Sequence, residues 1–305
     1  MRLIWIAIFV VLSISGAVAK GDFHLFDIQN ADAKVTPEVI VKAFEASGYE
    51  IAVNSEMNKP FKIQFQQTNF KIFTLLTLFH TEFSQELVKK HANAGIFVPM
   101  GVGIYQGKNE DILHVSILTA QAQAKILGFD DVILHKIEEA NMAVMKKTFP
   151  KAKISISKDA IKAKGPLVTI FKMEVDEDWE EAKEELQMMV EDGFKPYGFV
   201  MPGFTDFNYI MTKEETIESP YDFYDTYSVC KLRVIYTVAK TRPEAAAFAP
   251  CTLMMYKKKG EDKIVMGFPG VYNWMSSADI KDKETSTVLM KAQIDFETIL
   301  REATE

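Results

Sequence analysis

The stretch Phe97-Val-Pro-Met-Gly-Val-Gly-Ile-Tyr105, which runs on to Glu110-Asp111, recurs later in the chain. The second occurrence is Phe248-Ala-Pro-Cys-Thr-Leu-Met-Met-Tyr256, which runs on to Glu261-Asp262. The shared Phe, Pro, Tyr and Glu-Asp positions all stand 151 residues apart, without a gap. This repetition, rather than any single motif, is the feature from which the fold is predicted.

An upstream block repeats as well. Phe26 and Gly48-Tyr49 recur as Phe171 and Gly193-Phe194 at a constant spacing of 145 residues, so the later copy holds six extra residues in its middle. Two gapless blocks in the same order predict a duplicated domain. The predicted organisation is a signal peptide at 1–19, a first α+β repeat at 20–150, a Lys-rich linker at 151–165 and a second α+β repeat at 166–305.

Each predicted repeat contains more strands than helices. The first opens with a strand at 23–28 and a helix at 36–47, and the second with a strand at 167–175 and a helix at 177–192. The other predicted elements are strands at 70–79 and 229–238, hairpins at 100–105 with 112–118 and 251–256 with 263–268, and helices at 132–147 and 285–301. Strands that adjoin along the chain favour an antiparallel sheet. The expected class is α+β, with two tandem copies of a domain whose helices pack on one face of an antiparallel sheet.

The N-terminal residues indicate export. Arg2 precedes an apolar run at 3–12, and the small-residue site Ala17-Val18-Ala19 follows, which is the order of parts in a secretory signal peptide. We therefore expect cleavage after Ala19 and a periplasmic location. No later stretch is long and apolar enough to span a bilayer, so no membrane span is expected after cleavage.

The charge balance argues against nucleic acid as a partner. The 305 residues include 42 Asp+Glu and 35 Lys+Arg, for a net charge of −7, whereas proteins that bind phosphate backbones need an excess of cations. The predicted helix at 177–192 carries much of this acidity, with Lys183 as its only cation. Either this helix has a solvated outer face, or it docks to a basic partner.

The repeated segment resembles the C-terminal part of units of the domain of unknown function 302 (DUF302) family. The resemblance is carried by 97–105 through Glu110-Asp111 and by 248–256 through Glu261-Asp262. The whole mature chain is similar to the secreted, tandem-repeat members of that family from Gram-negative bacteria. The resemblance implies small domains with a curved antiparallel sheet and helices against it, and it implies no particular activity.

Motifs of familiar chemistry are absent from the sequence. It contains no Gly-x-Ser-x-Gly, no His-Glu-x-x-His, no Walker loop and no haem-attachment motif, so neither a cofactor nor a metal is expected. His80 and His114 could approach each other as metal ligands, or they occupy core or surface positions. Cys230 and Cys251 lie in predicted strands and either form a disulfide or remain free thiols.

Aromatic residues of the second copy are the candidates for a binding surface. The segment 204–227 contains the extra residues of the later copy and is predicted to be a long loop, and loops of this length often bind ligands. Aromatic side chains with hydroxyl tips can pack on a core and hydrogen-bond a ligand. The alternative is a loop that only covers the core. The candidate ligand- or partner-binding residues are Tyr221, Phe223, Tyr224 and Tyr227, completed by Tyr272 and Trp274.

These observations favour an uncharacterised periplasmic protein that acts as a non-catalytic binding or accessory module. Its partner would be a small apolar ligand or another periplasmic protein, and a homodimer is left open. An enzyme is less favoured because convergent polar groups of matched acidity cannot be placed. The alternative is a periplasmic hydrolase or redox enzyme that uses a His or Cys site.

Overall fold

The computed structural model describes residues 21–162, 165, 167–176, 178–213 and 218–305. The predicted signal peptide at 1–19 lies outside these residues, so its cleavage stays a prediction. Among the helices in the described ranges, none combines the length and the apolar character needed to cross a membrane.

The first half of the chain forms one antiparallel sheet with helices packed against it. Its elements are β1 (Phe23–Gln29), α1 (Pro37–Glu45), β2 (Tyr49–Glu56), α2 (Asn58–Phe65), β3 (Phe70–His80), α3 (Thr81–Lys90), the first 3₁₀ helix (Ala92–Phe97), β4 (Met100–Gly107), β5 (Ile112–Leu118), α4 (Ala120–Leu127), α5 (Val132–Thr148) and β6 (Lys153–Ile156). The strands stand in the order β2-β3-β4-β5-β1-β6. Helix α5 begins after Asp131, whose carboxylate accepts a hydrogen bond from the Ile133 amide at 3.0 Å and caps the helix.

The second half forms a second antiparallel sheet. Its elements are β7 (Val168–Glu174), α6 (Trp179–Phe194), β8 (Val200–Asp206), α7 (Phe207–Thr212), β9 (Tyr221–Cys230), α8 (Leu232–Ala239), the second 3₁₀ helix (Pro243–Phe248), β10 (Cys251–Lys258), β11 (Lys263–Pro269), α9 (Tyr272–Ser277) and α10 (Lys283–Thr304). The strand order is β7-β11-β10-β9-β8, which places β8 at one edge. Helix α6 buries Leu186, Val190 and Phe194, which repeat at helical spacing, and leaves its acidic residues outside.

The fold class predicted from the sequence is confirmed. The protein is α+β, with two antiparallel sheets and helices packed against them, an arrangement consistent with two copies of one unit. The predicted hairpins are the antiparallel pairs β4–β5 and β10–β11. Pro99 and Pro250, which directly precede those hairpins, both follow cis peptide bonds.

The two halves interlock through their 3₁₀ helices. The first 3₁₀ helix contacts β10 of the second sheet, and the second 3₁₀ helix contacts β4 and β5 of the first sheet. Glycines permit this approach, since a Cβ on Gly103 would collide with Ala246 and one on Gly95 with Tyr224. The buried apolar residues of both halves form one continuous core. Each sheet is therefore covered on one face by a helix from the other half.

Two predictions about the second half are wrong. The segment 229–238, predicted as a strand, ends β9 at Cys230 and then forms α8, because Val234, Ile235 and Val238 repeat at helical spacing and are buried. The segment 204–227, predicted as a long loop, contains in its described part the end of β8, α7 and most of β9. The stretch predicted as a linker at 151–165 also contributes β6 to the first sheet.

Candidate functional site

Four of the predicted binding residues lie on the inner strand β9 and face its two sides. The pleat separates Tyr224 from Phe223 and Tyr227, and a register shift in the β9–β10 pair turns Tyr221 to the side of Tyr224. Tyr221 and Tyr224 face the first half. The Tyr221 hydroxyl donates to the Val88 carbonyl oxygen at 2.7 Å. The Tyr224 hydroxyl accepts from the Gly95 N–H at 2.9 Å and donates to the Ala92 carbonyl oxygen. Both side chains are at most 2% exposed, so contacts between the halves occupy them fully.

Phe223 and Tyr227 face α6 instead. The Phe223 ring stacks on Trp179 with 5.7 Å between the ring centroids, and the Lys183 ammonium lies 4.3 Å from the Phe223 centroid. The Tyr227 hydroxyl accepts a hydrogen bond from the Gln187 side-chain amide. Phe223 and Tyr227 are therefore both buried against α6, and Tyr227 also lines a groove beside that helix.

Tyr272 and Trp274 lie on α9. Trp274 is buried and stacks on Phe248 with 5.6 Å between the ring centroids. Tyr272 is partly exposed and lines a cavity between α9 and α10. The six predicted residues therefore do not converge on one pocket, and Tyr227 is the member of the set that lines the groove beside β8.

This groove, of about 620 Å³, runs between α6 and the edge strand β8. Its floor is formed by the buried rings of Phe194, Phe199 and Tyr227. At its rim Val200 and Phe204 are each 56% exposed. Phe204 pairs with Tyr227 across the two strands, with 5.2 Å between the ring centroids. The groove is thus an accessible surface made mainly of aromatic and apolar side chains.

Polar groups accompany the aromatic floor. Gln187 bridges the Tyr227 hydroxyl and the Asp225 carboxylate, with its amide nitrogen 3.2 Å from Asp225 Oδ2. Asp225 is fully buried and pairs with Lys183 Nζ at 2.7 Å. Its Oδ1 has no hydrogen-bond partner among the residues that the structure describes. Burial raises the pKa of Tyr227 well above its ordinary value, so its hydroxyl stays protonated and donates to Asp225.

His80 and His114 are far apart. His114 Nδ1 lies 2.8 Å from Asp27 Oδ1, and His114 stands opposite Tyr105 in the sheet. Tyr105 in turn stands opposite Phe73, seven residues along β3 from His80, which is about 20 Å at the rise of a strand. Within the described ranges no three His, Cys, Asp or Glu side chains are grouped to hold a metal ion.

Cys230 and Cys251 are free thiols in the structure. Cys251 stands opposite Val229 in the β9–β10 pair, so the two cysteines are diagonal neighbours. Burial raises the pKa of each thiol to about 12, so both are protonated at neutral pH and poor nucleophiles. The structure therefore contains the free-thiol alternative, and a disulfide between them stays a prediction.

Most of the residues that build the groove were not predicted from the sequence. Tyr227 was predicted, but neither Gln187 nor the strand at 200–206 was. One signal was available, because Lys183 is the lone cation of an acidic helix and a buried charge needs a partner. Lys183 and Gln187 are four residues apart and so share one face of α6. That spacing would have indicated a polar site beneath the helix.

No protein-family model matches the sequence, and no curated protein matches it. Among solved structures, the chain is similar to one described as the crystal structure of uncharacterized conserved protein DUF302 from Bacillus stearothermophilus. The two share 16% sequence identity with a TM-score of 0.35. The match covers 45% of this chain and 98% of that chain, so it spans less than half of the present protein.

Proposed function

We propose that the protein is a non-catalytic binding module and that the groove between α6 and β8 holds a small apolar ligand. The observation that carries the proposal is the exposure of Val200 and Phe204 above a floor of buried aromatic rings. Large apolar side chains grouped around a concave surface are typical of ligand or partner sites. Of the residues predicted from the sequence, Tyr227 is the one to which we assign a direct ligand contact.

The chemistry of the groove favours a neutral ligand. Its volume of about 620 Å³ falls within the usual range for small-molecule sites of about 300–1,000 Å³. The charged side chains that line it are Glu191 and Lys195, and Lys195 is paired with Asp192 at 2.8 Å. No excess of positive charge is therefore offered to an anion. A neutral ligand with an apolar body would pack on the rings of Phe204 and Tyr227.

Replacing Phe204 by glutamate is expected to weaken binding of a neutral apolar probe about tenfold, a loss of about 1.4 kcal/mol. The substitution removes an aromatic wall and adds a charge that the probe cannot compensate. The probe is N-phenyl-1-naphthylamine, whose fluorescence rises when it enters an apolar site. Titration of the wild-type and variant proteins gives the two dissociation constants.

The matched control is Ile63→Glu on α2. Ile63 is 73% exposed and does not line the groove, so this variant adds the same charge to another apolar surface position. We expect it to bind the probe like the wild type. Equal affinity in the wild type and Phe204→Glu would show that the groove does not hold the probe and would contradict the proposal.

We further propose that the protein is a secreted, tandem-repeat member of the DUF302 family that works in the periplasm. Support comes from the order of Arg2, the apolar run at 3–12 and Ala17-Val18-Ala19, and from the repeated segments. If the signal peptide is cleaved as predicted, intact-mass analysis of protein from the periplasmic fraction will give a chain that starts at Lys20. A mass that still includes residues 1–19 would contradict the cleavage.

A further inference from the structure

A second cavity, of about 300 Å³, lies between α9, α10 and the segment that joins the two halves. Its body is apolar, and its rim is charged. The apolar members come from α9, from the turn that follows it and from α10, while two lysines stand at the opening. The lining residues are Lys162, Tyr272, Met275, Ser276, Asp279, Ile280, Lys281 and Met290.

The wall of this cavity is held in place by hydrogen bonds. After α9 the backbone turns through Asp279, whose φ of 50° lies in the left-handed region. The Ile280 N–H donates to the Met275 carbonyl oxygen at 2.9 Å. From the other side, Arg242 Nε donates to the Ala278 carbonyl oxygen at 2.6 Å. These two hydrogen bonds fix the turn, so the opening of the cavity that it borders is already formed in the absence of a ligand.

The charge at the rim is positive. Lys281 Nζ lies 2.8 Å from Asp279 Oδ2. The hydrogen bond with Lys281 holds the pKa of Asp279 below its ordinary value, and the charges of Lys162 and Arg242 act in the same direction. The residues that line the cavity include one carboxylate, Asp279, and two ammonium groups, those of Lys162 and Lys281. A local excess of positive charge stands out in a chain with a net charge of −7.

We propose that this cavity is a second binding site, which takes a small organic anion with an apolar body. The carboxylate or sulfonate of the ligand would lie between Lys162 and Lys281, where two ammonium groups can donate to it. Its apolar part would enter between Tyr272 and Met290. The site does not depend on the groove beside β8, because it shares no lining residue with that groove and carries an excess of positive charge that the groove lacks.

Two naphthalene probes of the same framework separate the two sites. 1-Anilinonaphthalene-8-sulfonate carries an anionic group, and N-phenyl-1-naphthylamine is its neutral counterpart. We expect the double variant Lys162→Gln/Lys281→Gln to bind the anionic probe about tenfold more weakly than the parent, with little change for the neutral probe. Raising the salt concentration should weaken binding of the anionic probe to the parent and have less effect on its binding to the double variant. The parent protein in these measurements is the Phe204→Glu variant, so that the groove beside β8 contributes little to probe binding.

The control is Lys34→Gln/Lys108→Gln, which removes two exposed lysines elsewhere. This variant has the same net charge as the test variant, so it corrects for the general attraction of an anion to the protein. Equal loss of affinity in both double variants would overturn the proposal, as would an unchanged affinity after removal of Lys162 and Lys281. Competition by octanoate in the parent alone would support it, whereas competition that persists in the test variant would count against it.

Discussion

Replacing Tyr224 by alanine is expected to lower the free energy of unfolding by about 3–5 kcal/mol. Tyr224 has no exposed surface, and its ring stacks on Tyr256 with 5.3 Å between the centroids. Truncation would leave a cavity between the halves. It would also leave the Gly95 N–H and the Ala92 carbonyl oxygen without the partner they have in the native protein. Urea unfolding followed by circular dichroism measures the change.

Two further variants separate the ring from its hydroxyl. Tyr224→Phe keeps the packing and removes the hydrogen bonds, so we expect a loss of about 1–3 kcal/mol. Tyr209→Ala removes a tyrosine that is 64% exposed and should cost about 0.5 kcal/mol or less. A Tyr224→Ala protein as stable as Tyr209→Ala would show that the hydroxyl and ring of Tyr224 do not join the two halves.

Replacing Lys183 by methionine is expected to lower the free energy of unfolding by about 3–5 kcal/mol at neutral pH. Methionine keeps most of the side-chain length and its packing on Phe223. What it removes is the ammonium that neutralises Asp225, a carboxylate with no exposed surface. The charge would then be solvated by the Gln187 amide nitrogen, 3.2 Å from Asp225 Oδ2, and by the Tyr227 hydroxyl.

The loss should depend on pH in a defined direction. Burial already raises the pKa of Asp225 above its ordinary value, with Lys183 acting against burial, so the variant should have a higher pKa still. A carboxyl whose folded pKa exceeds its unfolded value binds more protons in the folded state, and stability then falls as pH rises. The variant should therefore approach the wild type near pH 4 and lose stability as pH rises toward 7, as thermal unfolding at several pH values would show.

The same helix region offers a control. Lys195 pairs with Asp192 at 2.8 Å, but both side chains are more than 70% exposed, so Lys195→Met should cost less than about 1 kcal/mol at any pH. The double variant Lys183→Met/Asp225→Asn removes both charges and should recover much of the stability at neutral pH. A pH-independent loss in Lys183→Met would mean that packing on Phe223, not the charge of Asp225, is what Lys183 provides.

Local pattern was enough to predict the class and several elements of this fold. Strong hydrophobic periodicity marks the hairpins β4–β5 and β10–β11 and the closing helices α5 and α10. Such periodicity can be recognised from the local sequence alone. Most of strand β9 was predicted as part of a loop because Asp222 and Asp225 interrupt its apolar pattern. Their charges are balanced by Lys257 and Lys183 from other elements, at 2.6 Å and 2.7 Å. Such distant partners cannot be seen in a local window.

The candidate site was harder to predict than the fold. Tyr227 could be singled out because it belongs to an aromatic-rich segment. The importance of Phe204 depends on β8 lying at an edge of the sheet and on the groove that separates this strand from α6. Tyr221 and Tyr224 belong to the same aromatic-rich segment as Tyr227 but lie on the other face of β9. Composition therefore identified the aromatic segment, and only the tertiary structure showed that it forms a strand with two different faces.

The interlocked 3₁₀ helices bear on how the chain is made. On the ribosome the first half is complete long before the second 3₁₀ helix is synthesised, yet that helix covers β4 and β5. During this interval the newly made first sheet presents apolar surface to water, which exposes the nascent chain to aggregation. The chain would then benefit from a chaperone that holds it until Phe248 has emerged, and a truncated gene product lacking the second 3₁₀ helix would stay dependent on one.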